Sequence, residues 1–144
     1  DPRLSAGIIA DGVHVHANAL RVASRAMAGR LFLVTDSMPT FGGLAESFML
    51  GGQEIIRVGN RLQSGSGTLA GAHLGMNEAV ANMVALADVS LAHALHMASG
   101  VPAAILGLDQ IYGGIVEGRP ASLTCLAADF TPEAVYVHGC RSAA

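Results

Sequence analysis

At 144 residues, 51% hydrophobic and with a formal net charge of -3, the chain carries enough apolar mass to bury one sizeable core. It contains no Lys, and its eight Arg are scattered from Arg3 to Arg141. That distribution argues against a nucleic-acid or anionic-membrane partner, which would need clustered basic charge. No apolar stretch approaches the roughly 20 residues of a bilayer span, the first residues lack a charged-then-apolar leader, and Trp is absent, so a soluble, cytoplasmic protein is expected.

The first apolar run, Gly7-Ile8-Ile9-Ala10, leads through Asp11-Gly12-Val13 to His14. From Ala17 to Ala28 the apolar residues Leu20, Ala23 and Met27 fall at helical spacing, and Gly29 closes the segment. Leu31-Phe32-Leu33-Val34 follows and ends in Thr35-Asp36-Ser37. This order predicts a βαβ unit with parallel strands. Its apolar runs are continuous rather than alternating, as in strands covered on both faces. Each run delivers an ionisable side chain at its C-terminal end, where parallel α/β barrels place their chemistry.

Residues 39–66 are broken by Gly42-Gly43, Gly51-Gly52 and Gly59-Asn60, and read as small hairpins inserted between a barrel strand and its helix. A helix is expected from near Ala72, with Leu74, Ala79, Val80, Met83 and Val84 on one face. Ser90 is placed to cap the next helix, and Pro102 to open a short third one. After Gly107 the period changes. Residues 113–116, 121–126 and 134–139 look like short strands, so 108–144 reads as a β-rich tail distinct from residues 1–107. Cys125 and Cys140 fall in two of these strands. A cross-strand disulfide is geometrically possible, but without a secretory leader free thiols are expected.

Asp36 should lie at the mouth of a cleft. A carboxylate there can take a proton from an attacking water and return it to a leaving group; the other reading is an Asp capping the turn after a strand. His14 and His16, two apart, would share a face of an extended segment. Such a pair is one way to hold a divalent metal, and either ring can donate to a phosphate or sugar oxygen. His14 is favoured because it ends the apolar run. Gly65-Ser66-Gly67-Thr68-Leu69-Ala70-Gly71, ahead of a helix, could receive an anion or a sugar hydroxyl on its amides. No Gly-Lys-Ser/Thr follows, which excludes a nucleotide-hydrolysing phosphate loop. His93 and His96 read as a packed or solvated helix face, and His73 and His138 as structural.

The segments Gly7 to Val15, Leu33 to Met38 and Gly67 to Gly71 resemble, in this order and spacing, the C-terminal part of the N-acetylglucosamine-6-phosphate deacetylase family. Ala98 to Ala104 and Gly114 to Leu123 are similar to the endings of many amidohydrolase-superfamily enzymes, although Ser122 stands where those endings often carry Asp. The resemblance implies the C-terminal part of a distorted (β/α)8 TIM-type barrel over residues 1–107, followed by strands of a small β-sandwich over 108–144, in a protein that is often a homodimer. It implies Asp36 as the acid/base. It also implies His14 and the Leu69, Ala70 and Gly71 backbone as contacts to a phosphosugar, with no function carried onto His16. The implied cofactor is a divalent metal, commonly zinc, whose Glu and His ligands belong to upstream strands. Two strands cannot close a barrel of eight, so the natural protein is expected to extend upstream and this segment alone to be inactive. Another amidohydrolase acting on a different amide, or a self-associating fragment without activity, are the alternatives.

Overall fold

The computed structural model describes residues 1–142; the last two residues of the predicted tail, 143–144, lie outside them. The described residues are α/β, with four helices and three separate sheets among them. Strand β1 (Ala6–Ile9) pairs in parallel with β2 (Leu31–Val34), and helix α1 (Ala17–Ala26) connects them. That is the predicted βαβ unit. Burial alternates along both strands, however. Ile8, Ala10, Leu31 and Leu33 are buried in the main core with Leu20 of α1 and Ile9 packs against it, whereas Phe32 and Val34 remain half-exposed on the opposite face. Only one of the two faces anticipated from the continuous apolar runs is covered within residues 1–142.

The inserted hairpins form one continuous antiparallel meander instead. Strands β3 (Ser47–Leu50), β4 (Gln53–Val58), β5 (Arg61–Ser64) and β6 (Leu69–Ala72) lie in that order. The Gly-Gly and Gly-Asn turns sit where expected, but the sheet runs on through Leu69, Ala70 and Gly71, which were read as a loop opening a helix. The helix therefore starts later. Helix α2 (Met76–Ala87) follows β6, and Glu78 reaches back to accept from the Gly75 N–H at 2.6 Å, the half of a capping box that a glycine N-cap permits.

Helix α3 (Leu91–Ala98) begins where predicted, with Ser90 Oγ accepting from the His93 N–H at 3.3 Å. Helix α4 (Gly100–Ile105) carries Pro102 in its first turn. Ala79, Val80 and Met83 of α2 and Ala94 and Met97 of α3 complete the core against β2 and α1.

In the tail, β7 (Leu123–Leu126), β8 (Pro132–Val137) and β9 (Cys140–Arg141) make an antiparallel sheet in that order. Residues 113–116, expected as a strand, are irregular, and the pairing goes to β9 instead. Cys125 and Cys140 are both free and exposed. They sit on β7 and β9, either side of β8, so about 9.5 Å of sheet separates them, and a disulfide needs Cα atoms within about 7 Å. Ser122 Oγ accepts from the His138 N–H at 3.2 Å, which gives the departure at position 122 a structural role.

Candidate functional site

The register of the parallel pair sets the site. Ile9 stands opposite Val34 as the last pair of the ladder, so Asp11 and Asp36 each lie two residues past the exit of adjacent strands. A third segment joins the rim. Ser37 and Ala72 form an isolated parallel bridge, with the Ala72 N–H donating to Asp36 O at 2.9 Å and the Met38 N–H donating to Ala72 O at 3.1 Å. The end of β6 thus runs alongside the exit of β2, and Asp11, Asp36 and Gly71 emerge along one edge.

Asp36 has φ +51, a left-handed conformation that Asp tolerates better than most residues but that still needs support from its surroundings. The two backbone bonds to Ala72 supply it. Its carboxylate is exposed and takes no hydrogen bond from any described residue. The turn-capping reading is therefore not what its side chain does; an unencumbered carboxylate is held at a fixed place on the rim.

His14 differs from the expectation in one respect. Residues 11–15 bend rather than extend, so His14 and His16 do not act as a pair. His16 is the N-cap of α1, its Nδ1 accepting from the Asn18 N–H at 3.2 Å. His14 is instead paired with Asp11, a residue the motif reading passed over. The Asp11 side chain is 3% exposed; its Oδ1 accepts from the Val13 and His14 N–H groups, both at 2.9 Å, and its Oδ2 lies 2.6 Å from His14 Nδ1. Burial pushes the Asp11 carboxyl up, but hydrogen bonds from the His14 ring and the two amides, with the His14 charge, outweigh burial and hold it below the usual carboxylate value. An ionised Asp11 accepts from Nδ1–H, which fixes the ring, and whenever the ring is neutral the proton stays on Nδ1 and Nε2 is left as the acceptor. The sequence did contain a signal for this: Asp followed by Gly after a strand favours an Asx turn, which folds the carboxylate back onto His14.

Leu69, Ala70 and Gly71 sit at a β-bulge. Gln63 pairs with Leu69 and Arg61 with Ala72, so Leu62 alone opposes both Ala70 and Gly71. A bulge frees backbone groups of one residue from the ladder and re-aims the strand. Gly71 has φ +80, and a Cβ there would fall 2.5 Å from Met38 Cγ and 3.3 Å from Asp36 O. Only glycine lets this strand pass so close to the Asp36 turn.

A cavity of about 300 Å³ opens behind Asp11, lined by His73, Asn77, Asn82, Phe130 and Thr131 among others. Asp36, His14 and Leu69 to Gly71 are not in its wall, so the cavity meets the rim at Asp11 alone. Among the described residues no three His, Cys, Asp or Glu side chains converge, so the donors of this chain do not by themselves fit a divalent metal. His93 and His96 remain on helix α3 and His138 in the β8–β9 turn, remote in sequence and sheet from the rim.

A sequence profile of the amidohydrolase family matches residues 2–141. The chain is 36% identical over 139 residues to a putative N-acetylgalactosamine-6-phosphate deacetylase of Escherichia coli K12, a match covering 96% of this chain and 83% of that protein. Its fold is similar to N-acetylglucosamine-6-phosphate deacetylase from Pasteurella multocida, with a TM-score of 0.93 and 31% identity over 97% of this chain and 37% of that one. It is also similar to a mutant N-acetyl-D-glucosamine-6-phosphate deacetylase from Mycobacterium smegmatis, solved in complex with N-acetyl-D-glucosamine-6-phosphate, with a TM-score of 0.88 and 29% identity over 98% and 38% of the two chains. The chain thus spans most of the first relative but little more than a third of either solved structure.

Proposed function

The chain belongs to the amidohydrolase family, and from that premise we propose that its parent protein hydrolyses the acetamide of N-acetylglucosamine 6-phosphate to acetate and glucosamine 6-phosphate. The observation that carries this reading is Asp36: an exposed, unpaired carboxylate locked at a strand exit, level with a carboxylate-held imidazole. In the reaction, a water oxygen adds to the acetamide carbon and its proton passes to Asp36. Asp36 then gives that proton to the amide nitrogen as the C–N bond breaks, so the amine leaves, and the acetic acid formed releases the water's other proton to the medium as acetate. The cycle returns Asp36 to its ionised form.

His14 presents Nε2 as an acceptor to a hydroxyl of the sugar phosphate, which donates to it, with Asp11 fixing the ring. The bulged backbone of Leu69, Ala70 and Gly71 lines the sugar. A divalent metal, zinc by the resemblance, would activate the water in such an enzyme. The donors of this chain do not fit it, and its ligands are assigned to upstream segments. Residues 1–107 are read as the last units of a distorted (β/α)8 TIM-type barrel, with 39–66 as its insertion and 108–144 as strands of a β-sandwich. The half-exposed apolar face of Phe32 and Val34 supports that reading, since a barrel interior would cover it. The parent protein is proposed to be a cytoplasmic homodimer; no helix of the described residues is long and apolar enough to cross a membrane.

The name carried by the Escherichia coli relative favours a second reading, in which N-acetylgalactosamine 6-phosphate is the preferred substrate. The two sugars differ only in the configuration of one ring hydroxyl, and the acetamide chemistry is common to both. Deacetylation of each sugar phosphate, with zinc supplied, by the full-length protein and by this segment tests both readings. Activity in the full-length protein and none in the segment is expected, and the ratio of kcat/KM values assigns the epimer. A full-length protein inert toward both would refute the reading.

A further inference from the structure

We propose that His73 is a positioning residue for Asp36, bracing the turn that follows it. This rests on the reading of Asp36 as the acid/base. The sequence gives His73 no motif, yet the structure makes it the centre of a clamp between residues 36–41 and 71–75.

His73 Nδ1 lies 3.0 Å from Thr40 Oγ1, and Thr40 is fully buried. The Phe41 ring meets the His73 ring edge-on, with centroids 5.5 Å apart at 67°. Such a pair prefers this geometry and resists sliding. Two glycines shape the clamp from the other side. Gly71 makes room for the Met38 side chain, and a Cβ at Gly75 would fall 2.7 Å from Phe41 Cζ. Ser37 Oγ donates to the Leu74 carbonyl, and the backbone bonds of Asp36 and Met38 to Ala72 complete the seam.

Asp36 holds a left-handed backbone that relaxes unless its surroundings over-determine it. The bonds to Ala72 fix it on one side. On the other side the chain runs through Pro39 to Thr40, and among the described residues the one side-chain hydrogen bond holding Thr40 is that to His73. His73 therefore acts on Asp36 through Thr40 and Phe41. Loss of the brace should leave ground-state binding by His14 and the β6 backbone intact while misplacing the carboxylate in the transition state. Such a loss lowers kcat and leaves KM unchanged.

The experiment uses the full-length protein with His73→Ala, His73→Asn and Thr40→Val. The Asn side chain places a polar atom where Nδ1 stood and can keep the bond to Thr40 Oγ1. His73→Ala and Thr40→Val are each expected to lower kcat about tenfold, the rate equivalent of about 1.4 kcal/mol, with KM within twofold of wild type. His73→Asn should recover most of that loss, and the double variant should be no slower than either single one, because both remove the same bond. Amide hydrogen exchange at Met38 and Phe41 should quicken in His73→Ala, with the amides of β1 and β2 unchanged. Wild-type kcat in His73→Ala, or a kcat loss that Asn does not restore, would overturn the proposal. Should the wild-type protein deacetylate neither sugar phosphate, the acid/base reading fails by itself. Hydrogen exchange then decides the brace: faster exchange at Met38 and Phe41 supports it and unchanged exchange overturns it.

Discussion

Replacing Asp11 by Asn tests whether the buried carboxylate sets the state of His14. In Asp11→Asn the Oδ1 atom can still accept the Val13 and His14 amides, both at 2.9 Å in the native geometry. The Oδ2 atom, 2.6 Å from His14 Nδ1, becomes an NH₂ donor. The ring must then offer Nδ1 as acceptor and move its proton to Nε2, which reverses what the rim presents to a ligand. One charge-assisted hydrogen bond is worth about 1.5–3 kcal/mol, so kcat/KM for the sugar phosphate should fall roughly 10- to 150-fold. Steady-state assays on the full-length protein, alongside urea unfolding, separate this from simple destabilisation. Asp11→Ala also strands two amides, at about 1–3 kcal/mol for each left unsatisfied, and should unfold at lower urea than Asp11→Asn. The pH dependence gives a further check. The Asp11 carboxyl is held below its ordinary value in the folded state, so its contribution is fully present above the unfolded value of about 3.9 and is lost as pH falls through the folded value. The acid-side loss of stability below about pH 4 should be shallower in Asp11→Asn. Wild-type kcat/KM in that variant, combined with a clear loss in His14→Ala, would refute the idea that Asp11 governs the ring.

Asp36→Asn in the full-length protein should lower kcat about 10²- to 10⁴-fold with little change in KM, and turnover at the wild-type rate would remove Asp36 from the acid/base role. Gly71→Ala should cost about 1–2 kcal/mol for a left-handed alanine and about 1–3 kcal/mol more for overpacking against Met38, read as a lower urea midpoint. A midpoint equal to wild type would show that the β6 bulge does not need glycine. Both cysteines should react with a thiol reagent in the native protein, and mild oxidation should give no intrachain cross-link between Cys125 and Cys140, as non-reducing peptide mapping would reveal.

Local chemistry made much of this chain legible as a sequence. Apolar runs ending in Asp36 and leading to His14 identified the parallel pair and its rim, because a buried strand must be apolar and its first polar residue marks the exit. Ser90 and Pro102 placed α3 and α4 through capping and fixed φ, which act within a single turn. The identity of the family was likewise readable from three short segments, whose residues, in that order and spacing, carry the resemblance.

Partners distant along the chain were not legible. Whether Leu69 to Gly71 form a loop or a strand depends on β5 and on the exit of β2, and both Gly-rich readings are compatible with local propensity. Tertiary pairing made them a bulged strand. The His14–His16 spacing suggested a pair only if the backbone were extended; the Asp11 carboxylate folded it into a turn and left His16 to cap α1. His73 looked structural because its own partners, Thr40 and Phe41, are distant along the chain. Thr40 and Phe41 reach it across more than thirty positions, a contact that arises from sheet geometry rather than from any motif. Residue type thus determined which groups could do chemistry, and the three-dimensional register decided which of them stand together.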